Sequence, residues 1–342
     1  MKIYDDYLKT IRTAISADKK VISKDSSFSA FSGESLRSRF NFSDLNKSVP
    51  PKRLLPSLDV LANELGLKPD FDQQLGLHPD FAYLKGTDRT ENHYIVSAFI
   101  DIKGSTNLFA KYEPETVLII NTTIQRAAIH TCLIFGGYIH RLQGDGLFVY
   151  FGGKGVDKKM ATLRALQSAS VFTYFVKHDL KNLFLEQGID KIFTRIGIDF
   201  GDDADVTWSM AGIGEISEVT TCSLHTSLAS KMQAYAESNG IVVGDKVKSN
   251  TDFAFQDLMT PVSKRTEKEQ DRYIFRIPEE GFFYTQYDLD WMKFLKKQDF
   301  IATNLHGDLS VKRKTHIAPE REVKNLEPIA VKSKPYLNGS KK

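Results

Sequence analysis

The sequence predicts an α+β fold: a β-α-β-β-α-β run forming one sheet with helices packed on one face, a ferredoxin-like layer. Three observations predict it. A continuous apolar strand at 95–101 is followed by a long segment of helical period. The stretch YIHRLQGDGLFVYFGG then forms two strands about a tight Gly-Asp-Gly turn. A second helical segment leads into another apolar strand, KIFTRIGIDFG.

Residues 1–90 are expected to be an accessory region. DDYLKTIRTAIS suits a short helix, the Ser-rich stretch SKDSSFSAFSGESLRSRFNFSD suits a wrap over another surface, and PPKRLLPSLDVLANELGL restarts a helix after a proline break. The polar stretch KGTDRTENH (85–93) marks the expected boundary. The main domain then spans 91–255. In it, 113–135 carries helical spacing through Val117, Ile120, Ile124 and Ala128 and ends at Gly136-Gly137. A long helix at 158–187 closes at Gly188, VTWSMAGIG forms a strand, 223–237 a helix, and GIVVGDKV a last strand. Residues 256–310 form a packing segment in which the aromatic run 281–295 is expected to lay a helix on the core.

The tail 311–342 holds nine Lys/Arg against three Glu, a charge of +6, so the overall +3 leaves about −3 for the rest of the chain. Such a tail suits a solvated, partly disordered end. The rival class, a nucleic-acid binder acting through it, predicts salt-sensitive binding lost on truncation. Cys132 and Cys222 give neither a disulfide framework nor metal-ligand spacing. No signal-peptide pattern is present and no apolar run approaches the ~18–20 residues that span a bilayer, so a soluble cytoplasmic protein is expected.

Asp101 ends the first strand of FIDIKGST, and Asp145 sits in the turn of a hairpin able to pair beside it. Two carboxylates meeting at one sheet end suit Mg²⁺ or Mn²⁺, whose shell is completed by water and phosphate oxygens. A pair of such ions can clamp the attacking and leaving oxygens of a displacement at phosphorus. The turn Gly104-Ser105-Thr106 leads towards a helix, so its backbone N–H groups can bind phosphate. The plainer readings make Asp101 a turn cap and Asp145 an ordinary hairpin residue. No Walker A pattern or Rossmann fingerprint occurs. His130 and His140 lack partners at ligand spacing and suit packing or surface positions; Arg195, beginning a strand, suits a salt bridge.

FIDIKGST, RLQGDGLFVYFGG, RIGIDFG with MAGIG, and SLASKMQAYAESNGIVVGDKV resemble, in order and spacing, the blocks of the class III nucleotidyl cyclase catalytic domain over about 93–250. The resemblance implies a homodimer with sites at the subunit interface, two Mn²⁺ or Mg²⁺ ions per site, and attack of a nucleoside triphosphate's 3′-oxygen on its own α-phosphorus with loss of pyrophosphate. It implies Asp101 and Asp145 as metal ligands and Ile102 as a backbone-carbonyl ligand. Where purine cyclases usually carry a base-reading lysine this chain has Arg141, and a second reader falls near Thr220 within a residue or two. The family's Asn and Arg on the late helix are replaced by Ser227 and Lys231; a lysine keeps the charge but acts as a point charge.

These departures resemble the pyrimidine cyclases of bacterial antiphage signalling (Pycsar). By that resemblance a separate effector protein responds to cyclic UMP or cyclic CMP. Cyclic UMP is favoured here because Arg141 suits two carbonyl acceptors. Alternatives are a cytidylate cyclase, an adenylate or guanylate cyclase, and a catalytically silent nucleotide sensor.

Overall fold

The structure, a computed structural model, describes residues 1–18, 53–189 and 192–312. Helix α1 (Asp5–Ser16) carries Tyr7, Ile11, Ala14 and Ile15 at three- and four-residue spacing, and all four are buried. Helix α2 (Pro56–Leu65) begins on a proline and stops at Gly66, whose φ of 66° supplies the left-handed cap. After the short strand β1 (Thr90–Asn92) comes β2 (Ile95–Lys103), the strand about which the molecule is arranged.

Helix α3 (Pro114–Ile134), strands β3 (Gly137–Gln143) and β4 (Gly146–Phe151), helix α4 (Lys158–Tyr174) and strand β5 (Phe193–Gly201) complete the β-α-β-β-α-β run. The expected long helix at 158–187 is continuous but passes through a π-helical turn, Phe175–Leu180, before α5 (Lys181–Glu186). The strands lie in the order β5-β2-β4-β3, so β2 is flanked by β4 and β5, antiparallel to both. Val96, Ala98, Ile100 and Ile102 of β2 all point into the main core with α3 and α4, the period of two expected of a strand.

Strands β6 (Val206–Ile213) and β7 (Ile216–Ser223) form a hairpin that pairs with β1 in a separate three-stranded sheet. It covers the other face of the main sheet over an aromatic cluster in which Phe81 and Trp208 stack at 4.0 Å. Helix α6 (Leu224–Tyr235) lies on that same face, against β5 and β2, and β8 (Gly240–Gly244) follows parallel to β5. Ser97, which alternates away from the main core, is hydrogen-bonded to Thr226 of α6 at 2.9 Å. The two crossover helices therefore share one face, as expected, but α6 takes the opposite one. Gly197 permits this: any Cβ there would run into the Ala229 carbonyl oxygen and the Gln233 nitrogen of α6.

The aromatic run 281–295 is not the expected helix. It forms strand β11 (Phe282–Leu289), after β9 (Met259–Pro261) and β10 (Tyr273–Ile277), and only then α7 (Trp291–Lys296). Aromatic and β-branched side chains on FFYTQY suit the pleated edge that β11 completes between β8 and β10. The expectation that no apolar run reaches spanning length also fails for α3. At 21 residues it is long and apolar enough to cross a membrane, but two thirds of its apolar window is buried inside the protein as a core helix.

The described residues up to Val311 form one compact unit. The stretch 85–93, expected as a boundary, supplies β1, whose Thr90 pairs with Ser209. Helix α1 and the turn before it dock on α3, where the Tyr4 hydroxyl meets Thr131 Oγ1 at 2.6 Å and Tyr7 bonds His130. The Ser-rich stretch 23–44 and tail residues 313–342 lie outside the described residues.

Candidate active site

Asp101 and Asp145 meet at one end of the sheet because β2 and β4 are neighbours. Their ladder runs to Ile100 opposite Leu147, and a Cβ placed on Gly146 would lie 3.6 Å from Asp101 Cα. The Ser105 hydroxyl donates to Asp145 Oδ2 at 2.5 Å, tying the turn after β2 to the tip of the hairpin. Asp101 Oδ2 accepts from Gln233 Nε2 of α6 at 3.1 Å and pairs with Lys103 Nζ at 3.3 Å and Arg195 Nη2 at 3.4 Å. Arg195 is thus in the expected salt bridge. Thr194 turns both its amide and its carbonyl to Asn239, at 3.1 and 2.7 Å. It therefore forms a non-bonded pair with Ile102, whose own carbonyl faces the opposite edge of β2, towards the Asp145 turn.

Two carboxylates and a backbone carbonyl on one corner are an all-oxygen set suited to a hard divalent cation. Among the described residues no group of three or more His, Cys, Asp or Glu gathers as a softer or zinc-type site would require. Gly104, at φ 90°, turns the chain into a six-residue 3₁₀ helix, Ser105–Ala110, leaving Thr106 exposed while the Ser105 hydroxyl is engaged by Asp145.

Arg141 and Thr220 belong to a second cluster. The β3–β4 ladder slips between Ile139 and Arg141, leaving His140 as the extra residue of a bulge. The slip turns Arg141 towards β7, where its guanidinium pairs with Glu218, Nε to Oε2 at 2.6 Å. Leu142 returns to the opposite side, lining a cavity of about 270 Å³ with Ile139 and Leu133. Thr220 Oγ1 lies 3.1 Å from His140 Nε2 and 3.4 Å from the Tyr150 hydroxyl. Burial pushes His140 down to about 3, with Arg141 adding to the shift, so the ring is neutral at ordinary pH. Glu218, two residues from Thr220, is the member that sequence reasoning missed. Its signal was an acid within the stated uncertainty of the second reader's register.

Ser227 and Lys231 lie four residues apart on α6 and are both exposed, whereas Thr226 and Gln233 face the sheet. The Ser227 hydroxyl makes only a 3.3 Å bond to the Ser223 carbonyl. Among the described residues no hydrogen bond or ion pair joins Ser227, Lys231, Arg141 or Thr220 to the Asp101–Asp145 corner. A buried trio anchors the start of α6: Asp199 accepts from the Tyr284 hydroxyl at 2.8 Å and pairs with His225 Nδ1 at 2.9 Å. Burial raises the Asp199 carboxyl and its bond to His225 opposes that rise. His130 is buried as well, packed between Tyr7 and Phe71.

The structure is a mixed α+β fold of sheet and helices, and the solved structures it is similar to are class III cyclase domains. In sequence the chain is similar to cytidylate cyclases. It is 38% identical over 226 residues to a cytidylate cyclase of Staphylococcus aureus, covering 66% of this chain and 53% of that protein. It is 30% identical over 255 residues to a cytidylate cyclase of Escherichia coli, covering 72% and 55%. The chain thus spans about half the length of the curated relatives it matches. No family model matches it. Among solved structures it is similar to the adenylyl cyclase CyaB from P. aeruginosa, with a TM-score of 0.48, 20% identity, and coverage of 59% of this chain and 95% of that one.

Proposed function

We propose that this chain is a divalent-metal-dependent pyrimidine nucleotide cyclase whose substrate is CTP, forming cyclic CMP and pyrophosphate. The observation that carries the choice of base is the Arg141–Glu218 pair. Cytosine presents two adjacent acceptors, O2 and N3, and an amino donor at the end of the same edge. A guanidinium beside a carboxylate complements that order, the carboxylate accepting from N4. Uracil instead places its single donor between two carbonyls, so a carboxylate reaching N3–H meets a carbonyl on either side. The sequence alone favoured uracil through Arg141; Glu218 and the cytidylate cyclase relatives support the other pyrimidine, with UTP kept as the second reading.

Asp101, Asp145 and the Ile102 carbonyl would hold Mg²⁺ or Mn²⁺, which when bound neutralises phosphate charge and makes the 3′-hydroxyl easier to deprotonate. In the reaction the 3′-oxygen loses its proton and bonds the α-phosphorus as the bond to the β-phosphate oxygen breaks. Lys231 offsets negative charge developing on the phosphates, and the Ser227 hydroxyl orients the ribose. The Gly104-Ser105-Thr106 turn contributes backbone N–H groups to the phosphates. Ser227 and Lys231 face outward, away from their own chain's carboxylates, which supports a homodimer in which one subunit supplies the aspartates and its partner the readers. The cyclic product would serve a separate effector in antiphage signalling, in the cytosol where both triphosphates are made.

The test is incubation of the protein with Mn²⁺ and each of ATP, GTP, CTP and UTP, with product identified by chromatography and mass. Cyclic CMP from CTP is expected. Cyclic UMP alone overturns the base assignment, and no product from any nucleotide overturns the cyclase reading.

A further inference from the structure

Arg141 and Glu218 stand on strands that share no ladder. Strand β3 is the last strand of the main sheet and β7 the last of the three-stranded sheet, so each presents an edge. One turn of the N-terminal region lies between these edges. Gly76 donates its N–H to the His140 carbonyl at 2.9 Å, and its own carbonyl accepts from the Val219 N–H at 2.7 Å. Those partners are the immediate chain neighbours of Arg141 and Glu218. The turn is fixed in place: the Tyr138 hydroxyl bonds the Gln74 carbonyl and the Leu77 N–H, both at 2.5 Å. The Gln73 side chain bonds the Gly137 carbonyl at 3.2 Å and the Ile139 N–H at 3.1 Å, further along β3.

Position 76 demands glycine twice. Its φ is +68°, in the left-handed region, and a Cβ there would lie 2.8 Å from Glu218 Cβ and 3.4 Å from Glu218 Oε2. Any larger residue is therefore a wedge against the carboxylate that faces Arg141. We propose that the turn at 73–77 sets the spacing of the base-reading pair, with Gly76 as its positioning residue, so that base selectivity depends on a segment outside the β-α-β-β-α-β unit. This rests on the reading of Arg141 and Glu218 as base readers.

Gly86 supplies the control. Its φ is +75°, but a Cβ there meets nothing within 4 Å, so Gly86→Ala brings the same backbone strain without the wedge. Tyr138→Phe loosens the turn with no added bulk and serves if Gly76→Ala does not fold. The full chain and its variants are compared for kcat and KM with CTP and with UTP in Mn²⁺, and for equilibrium binding of each nucleotide by calorimetry. Gly76→Ala is expected to lower the CTP-to-UTP ratio of kcat/KM about tenfold, within the discrimination that one good base contact supplies, and mainly through KM. Tyr138→Phe should move the ratio the same way by less, and Gly86→Ala should leave it within about twofold. If Glu218→Gln shifts the ratio while Gly76→Ala and Tyr138→Phe behave like Gly86→Ala, the positioning role is overturned and the base-reading pair stands. If Glu218→Gln leaves the ratio unchanged, the pair is not a base reader and the inference falls with it.

Discussion

The carboxylate corner and the Arg141–Glu218 pair are two polar clusters of similar size, built in opposite ways. The corner is made by one continuous piece of sheet: Asp101 lies near the end of β2, the next turn supplies Ser105, and the neighbouring hairpin brings Asp145 only 40 residues after Ser105. Ladder hydrogen bonds and core packing on Ile100 and Leu147 hold both halves in register. The Arg141–Glu218 pair joins residues 77 apart on two different sheets, through a bulge at His140 and a bridging turn from a third region. The difference teaches that the carboxylate corner is locked by the topology of one sheet, whereas the Arg141–Glu218 pair is held across two sheets by a turn outside them.

The largest expected effect lies at the corner. Asp101→Asn or Asp145→Asn should lower kcat/KM by ~10³-fold or more, equivalent to about 4 kcal/mol, for every nucleotide alike. A loss confined to one base would break the division between the two clusters. Glu218→Gln should reduce the preference for CTP over UTP about 10–100-fold while leaving the better of the two turnover numbers within a few fold. Equal losses on both nucleotides would move Glu218 from recognition to chemistry.

Ser105→Ala sharpens the comparison from the other side. Removing the hydroxyl that holds Asp145 should cost about 1 kcal/mol of positioning, roughly a fivefold fall in kcat with unchanged base preference. Titration with Mn²⁺ should show weaker metal activation in this variant, and unaltered activation would mean that Asp145 needs no such support. A further effect is on stability and comes from pH. Burial pushes His78 and His130 down to about 4 and His140 to about 3. The unfolded chain then binds more protons than the folded one below about pH 6.5, so stability is complete above that value and is lost as pH falls towards 4. At pH 5.5 each ring should contribute about 1.4 kcal/mol of destabilisation. Two of the three pack behind the reader pair, His78 against Tyr138 and His140 against Phe148. Thermal melts between pH 7.5 and 5.5 should therefore fall, and less steeply in His140→Phe; identical profiles would place the titration elsewhere.

Legibility in the sequence followed the same division. Asp101 could be read because an apolar strand ending on a carboxylate is a local pattern, and Asp145 because Gly-Asp-Gly between two apolar runs is a hairpin signal. The β-α-β-β-α-β order was visible in alternating periods of 2.0 and 3.6 residues. Glu218 was hidden, since its partner depends on a one-residue bulge that no periodicity announces. The side of the sheet taken by α6 was hidden too, decided by Gly197 meeting the backbone of Ala229 and Gln233. FFYTQYDL was hidden as well, since neither its apolar residues nor its burial follow the period of two that announces a strand.

Helix α1 carries a consequence for how the protein is made. Tyr4 and Tyr7 find their partners, Thr131 and His130, 127 and 123 residues further along the chain. At ~5–20 residues per second of synthesis, the helix waits on the order of 6–25 s outside the ribosome before its docking surface exists. At 12 residues it is too short to hold its shape alone in water during that interval. Its apolar stripe therefore lacks its docking surface throughout that interval, and the segment closes over the core only after α3 has emerged.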